Sequence, residues 1–109
     1  MYELLFGNTV AARSLMYLVN YGQGHINGMA KTFGVSPSQV ERQLKKLEGA
    51  GVLVSSMLGN VRVFQINPRL AIRDELTALM EKILQLLPEA ETNRYFRQRT
   101  RPRRSGKAL

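Results

Sequence analysis

The sequence predicts a mainly helical α+β domain, and three observations carry this prediction. Two short amphipathic segments separated by a glycine occupy residues 26–47. Two extended apolar runs joined by Gly59-Asn60 follow them, and a long segment with a wide apolar stripe comes last. Apolar residues recur with helical spacing in residues 26–47 and in the long last segment, which predicts helices there, and not in the two extended runs, which predicts strands. Together with a helix before residue 26, the predicted order is helix, helix-turn-helix, two-stranded hairpin, helix.

The first helix is predicted from about Thr9 to Tyr21, with Asn8 or Thr9 as its N-cap. Its inward face is formed by apolar side chains at helical spacing, and a glycine-rich segment that begins at Gly22 ends it. These side chains are Ala11, Leu15, Leu18 and Val19.

The helix-turn-helix is predicted from the spacing of apolar residues between Ile26 and Leu47. Its first helix has an apolar face at positions i, i+3, i+4 and i+7 and ends at Gly34, since glycine enters the left-handed backbone region at little cost. Ser36 and Pro37 then start the second helix, and Gln39 completes the pattern of a capping box. The buried stripe of that second helix is Val40, Leu44 and Leu47.

The opposite face of the second helix is polar and basic, and it suits the major groove of DNA. Arg42 can pair with a guanine through two hydrogen bonds, and Gln39 or Gln43 can do the same with an adenine. The alternative is that this face is simply solvated. The exposed residues are Ser38, Gln39, Arg42, Gln43, Lys45 and Lys46.

A hairpin and a long helix are predicted next. Gly59-Asn60 forms a two-residue loop between the runs 52–58 and 61–66, because both residues tolerate positive φ. Asn67-Pro68 is predicted to cap a helix from about Arg69 to Leu87, which Pro88 ends. Its stripe is wide for a helix that leans on a small domain, which indicates a homodimer seam; ordinary core is the alternative. The predicted seam residues are Leu76, Leu79, Met80, Ile83 and Leu87.

The net charge of +8 is concentrated at the C-terminus. Residues 1–93 hold nine basic and eight acidic side chains, whereas residues 94–109 hold seven basic ones and no acid. Such a tail indicates a polyanion partner, most simply nucleic acid bound without sequence preference; a solvated, disordered end is the alternative. Tyr95 and Phe96 either stack on bases or tuck against the body. The basic residues are Arg94, Arg97, Arg99, Arg101, Arg103, Arg104 and Lys107.

Composition excludes several classes of protein. The chain has no cysteine and one histidine, His25, which is expected to be a surface or capping residue, so no metal site, cofactor or catalytic triad is predicted. No Gly-rich phosphate loop is present, and an enzyme is not expected. No apolar run approaches the roughly 18 residues of a membrane span, and the N-terminus lacks signal-peptide features, so a cytoplasmic protein is expected.

Residues 6–69 resemble the winged helix-turn-helix of ArsR/MarR-like transcription regulators. The resemblance is carried by S-P-S-Q-V-E-R-Q-L-K-K-L-E-G-A-G-V-L from Ser36 to Leu53 and by R-V-F-Q-I-N-P-R from Arg62 to Arg69. Small winged helices associated with minimal nucleotidyltransferases are also similar. The resemblance implies a fold of class α+β, mostly α, with a two-stranded wing and a long C-terminal helix. It implies that these residues bind DNA: Ser36, Ser38, Gln39, Arg42, Gln43, Lys46 and Arg62.

The wing departs from this pattern, because its tip, which includes Met57 and Leu58, is apolar where the regulators often carry basic residues. The predicted organisation is a DNA-binding domain (1–68), a dimerisation helix (69–88) and a flexible basic tail (89–109). The expected function is sequence-specific binding of double-stranded DNA by a homodimer that regulates transcription, with no effector identified. The alternatives are an adaptor for protein or RNA, and a docking partner of a nucleotidyltransferase-like protein.

Overall fold

The computed structural model describes residues 5–96. Its elements confirm the predicted order and the predicted class, α+β and mostly α. In chain order they are α1 (Thr9–Tyr21), α2 (Ile26–Phe33), α3 (Pro37–Gly49), β1 (Leu53–Leu58), β2 (Val61–Ile66), α4 (Arg73–Leu86) and α5 (Glu89–Glu91), followed by a π-helical turn at Thr92–Phe96.

The first three helices begin at side-chain caps. Asn8 Oδ1 accepts a hydrogen bond from the Ala11 amide at 3.0 Å, which confirms one of the two predicted caps of α1. His25 Nδ1 accepts one from the Gly28 amide at 3.1 Å, so the single histidine is a capping residue of α2. Ser36 Oγ accepts one from the Gln39 amide at 3.4 Å and forms the first half of the predicted capping box of α3. Local hydrogen bonding therefore sets these helix starts.

The core lies around α1, which packs against α2, α3, α4, β2 and the C-terminal turn. Most of its members come from the first three helices, whose predicted apolar faces are buried or packed against the core; Ala12 and Met16 of α1 join it without having been predicted. The largest fully buried side chains are Phe64, Phe96, Met16, Leu18, Met29, Leu44, Leu53, Met80 and Val40.

The wing is the antiparallel hairpin of β1 and β2, and it turns at Gly59-Asn60 as predicted. Gly59 has a φ of +65°, which glycine adopts without strain. The sequence did not reveal an isolated β-bridge at Gly24, whose amide and carbonyl both bond Phe64 of β2, at 3.0 and 2.8 Å. This bridge ties the base of the wing to the segment between α1 and α2.

The prediction that α4 begins near Arg69 is wrong by four residues, since the helix begins at Arg73. Asn67 does not cap a helix there. Its Oδ1 accepts from the Arg69 amide at 2.9 Å in a local turn, and its Nδ2 donates to the Gly51 carbonyl at 2.9 Å. The Asn67 side chain therefore joins the end of β2 to the loop after α3 and delays the helix.

Some apolar side chains of α4 face the core of this protomer and others face solvent, which corrects part of the predicted dimer seam. Met80 is fully buried and Leu87 is 9% exposed, and both belong to the core of this protomer. Leu76 and Ile83 are half-buried against that core, and Leu79 is 45% exposed. Met80 and Leu87 are therefore unavailable to a partner, whereas the other three predicted seam residues retain accessible surface.

The boundary predicted at residue 89 for a flexible tail is also corrected, because residues 89–96 form α5 and the π-helical turn, and the last two of them pack on the body. Tyr95 and Phe96 are buried, with 6% and 2% exposure. Asn20 Nδ2 donates to the Phe96 carbonyl at 2.9 Å, and the Arg13 guanidinium lies 4.4 Å from the centroid of the Tyr95 ring. Of the two roles expected for Tyr95 and Phe96, the structure shows the one in which they tuck against the body.

Candidate nucleic-acid interface

Helix α3 is oriented by its buried side. Val40 and Leu44 are fully buried, and Leu47 packs at the edge of the core. Because successive residues turn by 100° along an α-helix, this anchoring directs the polar face away from the body. Six of the predicted DNA-binding residues lie on or beside this helix, and all but the half-buried Gln43 are exposed: Ser36, Ser38, Gln39, Arg42, Gln43 and Lys46.

The charge on this face is positive, and its strongest free donor is Arg42. Lys45 pairs with Glu41 one turn earlier at 3.1 Å, so its charge is partly balanced. Arg42 and Lys46 form no ion pair within residues 5–96. An unpaired guanidinium can donate to a base edge or a phosphate without first breaking a contact.

Three of these residues line a cleft that the sequence did not predict. The cleft has a volume of about 310 Å³, and the N-terminal turn of α1 forms its second wall. Helix N-termini favour anions, and Thr9 adds a hydroxyl, so this wall extends the polar surface of α3. No sequence signal places these two segments together, because they are some 30 residues apart in the chain. The lining residues are Asn8, Thr9, Val10, Gln39, Arg42 and Gln43.

The remaining predicted contact, Arg62, lies in the wing and is held by its neighbours. Its Nη1 donates to Ser55 Oγ at 3.0 Å, and Ser55 Oγ donates to Glu48 Oε2 near the end of α3 at 2.6 Å. This chain of hydrogen bonds fixes the base of the wing beside α3. Arg62 is exposed, but it reaches a nucleic acid only by leaving Ser55 or by using its other N–H groups.

Of the residues 94–109 that hold the basic tail, the structure describes only 94–96. Arg94 is exposed and lies 5.2 Å from the centroid of the Tyr95 ring. The other predicted tail contacts, Arg97, Arg99, Arg101, Arg103, Arg104 and Lys107, lie outside the described residues. Burial of Phe96 gives this segment a fixed point of attachment on the body.

A larger cleft of about 570 Å³ lies between α1, α4 and the C-terminal turn. Among the described residues that line it, Glu81 is the one charged side chain. The lining residues are Val19, Asn20, Glu81, Leu84, Gln85, Thr92, Asn93 and Phe96.

The described residues give no indication of acid-base or metal chemistry. Burial raises the pKa of the Tyr17 hydroxyl, and the charge on the neighbouring Tyr21 raises it further. Tyr17 therefore stays neutral and serves as a packing residue. No three His, Asp or Glu side chains lie close enough together in residues 5–96 to hold a metal ion. No helix in the same range is both long and apolar enough to cross a membrane.

Two solved structures share this architecture. The YusO protein from Bacillus subtilis superposes with a TM-score of 0.56 at 18% identity, covering 91% of this chain and 76% of YusO. A doubly substituted ZitR from Lactococcus lactis in apo form gives a TM-score of 0.54 at 18% identity, covering 84% of this chain and 78% of ZitR. No protein family and no curated protein matches the sequence. The chain therefore has the winged helix-turn-helix fold that these two structures share.

Proposed function

We propose that this chain binds double-stranded DNA in a sequence-specific way, with α3 in the major groove, and that it regulates transcription. The observation that supports this most is the combination on α3: a buried stripe that fixes the helix, and an opposite face where Gln39, Arg42 and Gln43 stand together. These side chains offer the donor and acceptor pairs that distinguish guanine and adenine in the major groove. A merely solvated helix needs no such grouping of amides with a guanidinium.

The second part of the proposal is that the DNA-binding unit is a homodimer formed along α4. Three exposed apolar residues, Ile72, Leu79 and Leu86, recur every seven positions, and half-buried Leu76 and Ile83 lie between them. Alternating steps of four and three residues are the pattern of a helix-helix seam. A second copy of α4 would cover this stripe and would place two α3 helices on half-sites about 34 Å apart.

Selection of bound fragments from a random duplex pool tests this function. The full chain is expected to enrich one motif, and a homodimer is expected to enrich it as an inverted repeat with half-sites about one helical turn apart. Arg42→Ala in the same selection should lose the motif. Enrichment of no motif above the unselected pool would overturn sequence-specific binding and would favour an adaptor for protein or RNA.

A further inference from the structure

The C-terminal turn places a second arginine beside an aromatic ring that already contacts one. The Arg13 guanidinium carbon lies 4.4 Å from the centroid of the Tyr95 ring, and that of Arg94 lies 5.2 Å from it. Tyr95 is buried, and its carbonyl accepts a hydrogen bond from the Tyr21 hydroxyl at 3.4 Å, so the backbone next to Arg94 is held on the body. Each cation is attracted to the ring, but the two cations repel each other.

Neither arginine has an anionic partner among residues 5–96. The ion pairs between described residues lie within α3 and within α4. Residues 4–40, which include the whole of α1 and α2, contain no acidic side chain. The acids nearest to Arg94 along the chain are Glu89 and Glu91 of α5, and they form no ion pair with Arg94 or with Arg13. The donor groups of both guanidinium ions are therefore not engaged by a carboxylate in the described part of the chain.

The Arg13 side chain also contains a buried donor without an acceptor. Its Nε–H group is buried and forms no hydrogen bond within residues 5–96. Buried polar groups in folded proteins almost always have a partner, because an unsatisfied donor lowers stability. The N–H groups of a guanidinium lie in its own plane, and an oxyanion can accept two of them at once. An oxyanion here would supply both an acceptor for Nε–H and a negative charge beside the two cations.

This pair of arginines adjoins the cleft between α1 and α3. Thr9 and Val10 line that cleft together with Arg42. Arg13 follows Thr9 by four residues and Val10 by three, so its side chain leaves α1 on the same side, one turn further along the helix. A cationic surface therefore continues from α3 across α1 to the C-terminal turn.

We propose that Arg13 and Arg94 form a binding site for a phosphate group, which lies beside the Tyr95 ring and accepts hydrogen bonds from the Arg13 Nε–H and from both guanidinium ions. Phosphate oxygens match the fixed donor geometry of arginine, which can offer two parallel hydrogen bonds. Two sources can supply this group. One is the backbone of the duplex that α3 contacts, which rests on the proposed function, and the other is a free phosphate compound, which does not.

The test follows the arginine Nε–H signals of the full chain by 1H–15N NMR during titration with inorganic phosphate, with sodium chloride holding the ionic strength constant. The Arg13 and Arg94 signals, identified with Arg13→Lys and Arg94→Lys, should shift together with one dissociation constant. Arg94→Gln should weaken phosphate binding about tenfold, the effect of losing a charge-assisted hydrogen bond. Arg94 is exposed, so this variant should keep the wild-type thermal unfolding. Arg73→Gln, at an exposed position of α4, is the matched control and should leave the dissociation constant unchanged.

Titration with the selected duplex distinguishes the two sources. Shifts of the Arg13 and Arg94 signals with the duplex support the site and identify the DNA backbone as a source, whereas shifts with inorganic phosphate alone support the site for a free phosphate compound. Phosphate-dependent shifts in a chain that binds no duplex would keep the site and remove the proposed function. A bound duplex with no shift of the Arg13 signal, in a chain that also shows none with phosphate, would overturn the site and leave the proposed function standing. Equal shifts of Arg13, Arg94 and Arg73 would also overturn it, because they would show only general attraction between charges.

Discussion

The Ser55 hydroxyl on β1 donates a hydrogen bond to Glu48 Oε2 in the last turn of α3, at 2.6 Å. The same hydroxyl accepts from Arg62 Nη1 at 3.0 Å, so one serine joins α3 to both strands of the wing. Asn67 also joins the end of β2 to Gly51 after α3, at 2.9 Å, and Ser55 adds a second side-chain link between the two surfaces that are proposed to contact DNA.

Replacing Ser55 with alanine should loosen this connection. Two hydrogen bonds are lost, each worth roughly 1 kcal/mol, so the free energy of unfolding should fall by about 1–2 kcal/mol. Chemical denaturation measures this change. Ser56→Ala on the opposite, exposed face of β1 is the matched control and should change stability by less than about 0.5 kcal/mol. Equal effects of the two substitutions would show that the Ser55 contacts do not hold the wing.

Alanine at Gly24 should destabilise the fold, whereas alanine at Gly49 should not. A Cβ at Gly24 would lie 2.7 Å from Tyr17 Cε1 and 2.9 Å from Sδ of the fully buried Met29, and overpacking of this kind costs about 1–3 kcal/mol. At Gly49, the last residue of α3, a Cβ meets nothing within 4 Å, and alanine should stabilise the helix by about 0.4–1 kcal/mol. Thermal unfolding of both variants measures whether each substitution raises or lowers stability. A Gly24→Ala variant as stable as the wild type would contradict the close packing there.

These examples show which features the sequence could predict. The starts of α1 and α3 were predicted because each cap is a contact between a side chain and an amide three residues away, Asn8 with Ala11 and Ser36 with Gln39. The exposed face of α3 followed from the helical period alone. The start of α4 was missed because the Asn67 side chain bonds Gly51, 16 residues away.

The C-terminal turn and the α3–α1 cleft were missed for the same physical reason. Phe96 accepts a hydrogen bond from Asn20, 76 residues earlier, and no local pattern distinguishes an aromatic that stacks on bases from one that packs on the body. The sequence likewise gives no sign that Thr9 lies beside Arg42. Features that depend on long-range contacts required the structure.

Disruption of the exposed stripe of α4 should dissociate the proposed homodimer. We expect the wild type to have a dimer mass by light scattering at micromolar concentration. Leu79→Ser with Leu86→Ser should have a monomer mass and an unchanged helical circular dichroism signal, because both side chains are exposed in the protomer, at 45% and 71%. Leu58→Ser at the wing tip is the control and should remain dimeric. A folded wild-type monomer at that concentration would rule out this seam.

The basic tail should add affinity without sequence preference. Truncation after Phe96 removes six basic residues and keeps the buried aromatic pair. If three of the six contact phosphates, the slope of log K against log salt should flatten by about three units, at roughly 0.9 per contact. The ratio of specific to random affinity should hardly change. Truncation after Asn93 should also lower stability, because it removes Tyr95 and Phe96. An unchanged salt slope would mean that the tail does not contact DNA.

Arg42→Ala tests the central claim most directly. Dissociation constants of the wild type and the variant are measured on the selected duplex and on a random duplex, with Lys82→Ala on α4 as the control for loss of one charge. If Arg42 reads a base, the variant should lose about 1–3 kcal/mol on the selected duplex and much less on the random one, so the specificity ratio falls. Lys82→Ala should leave that ratio unchanged. An equal loss on both duplexes would contradict base recognition by α3.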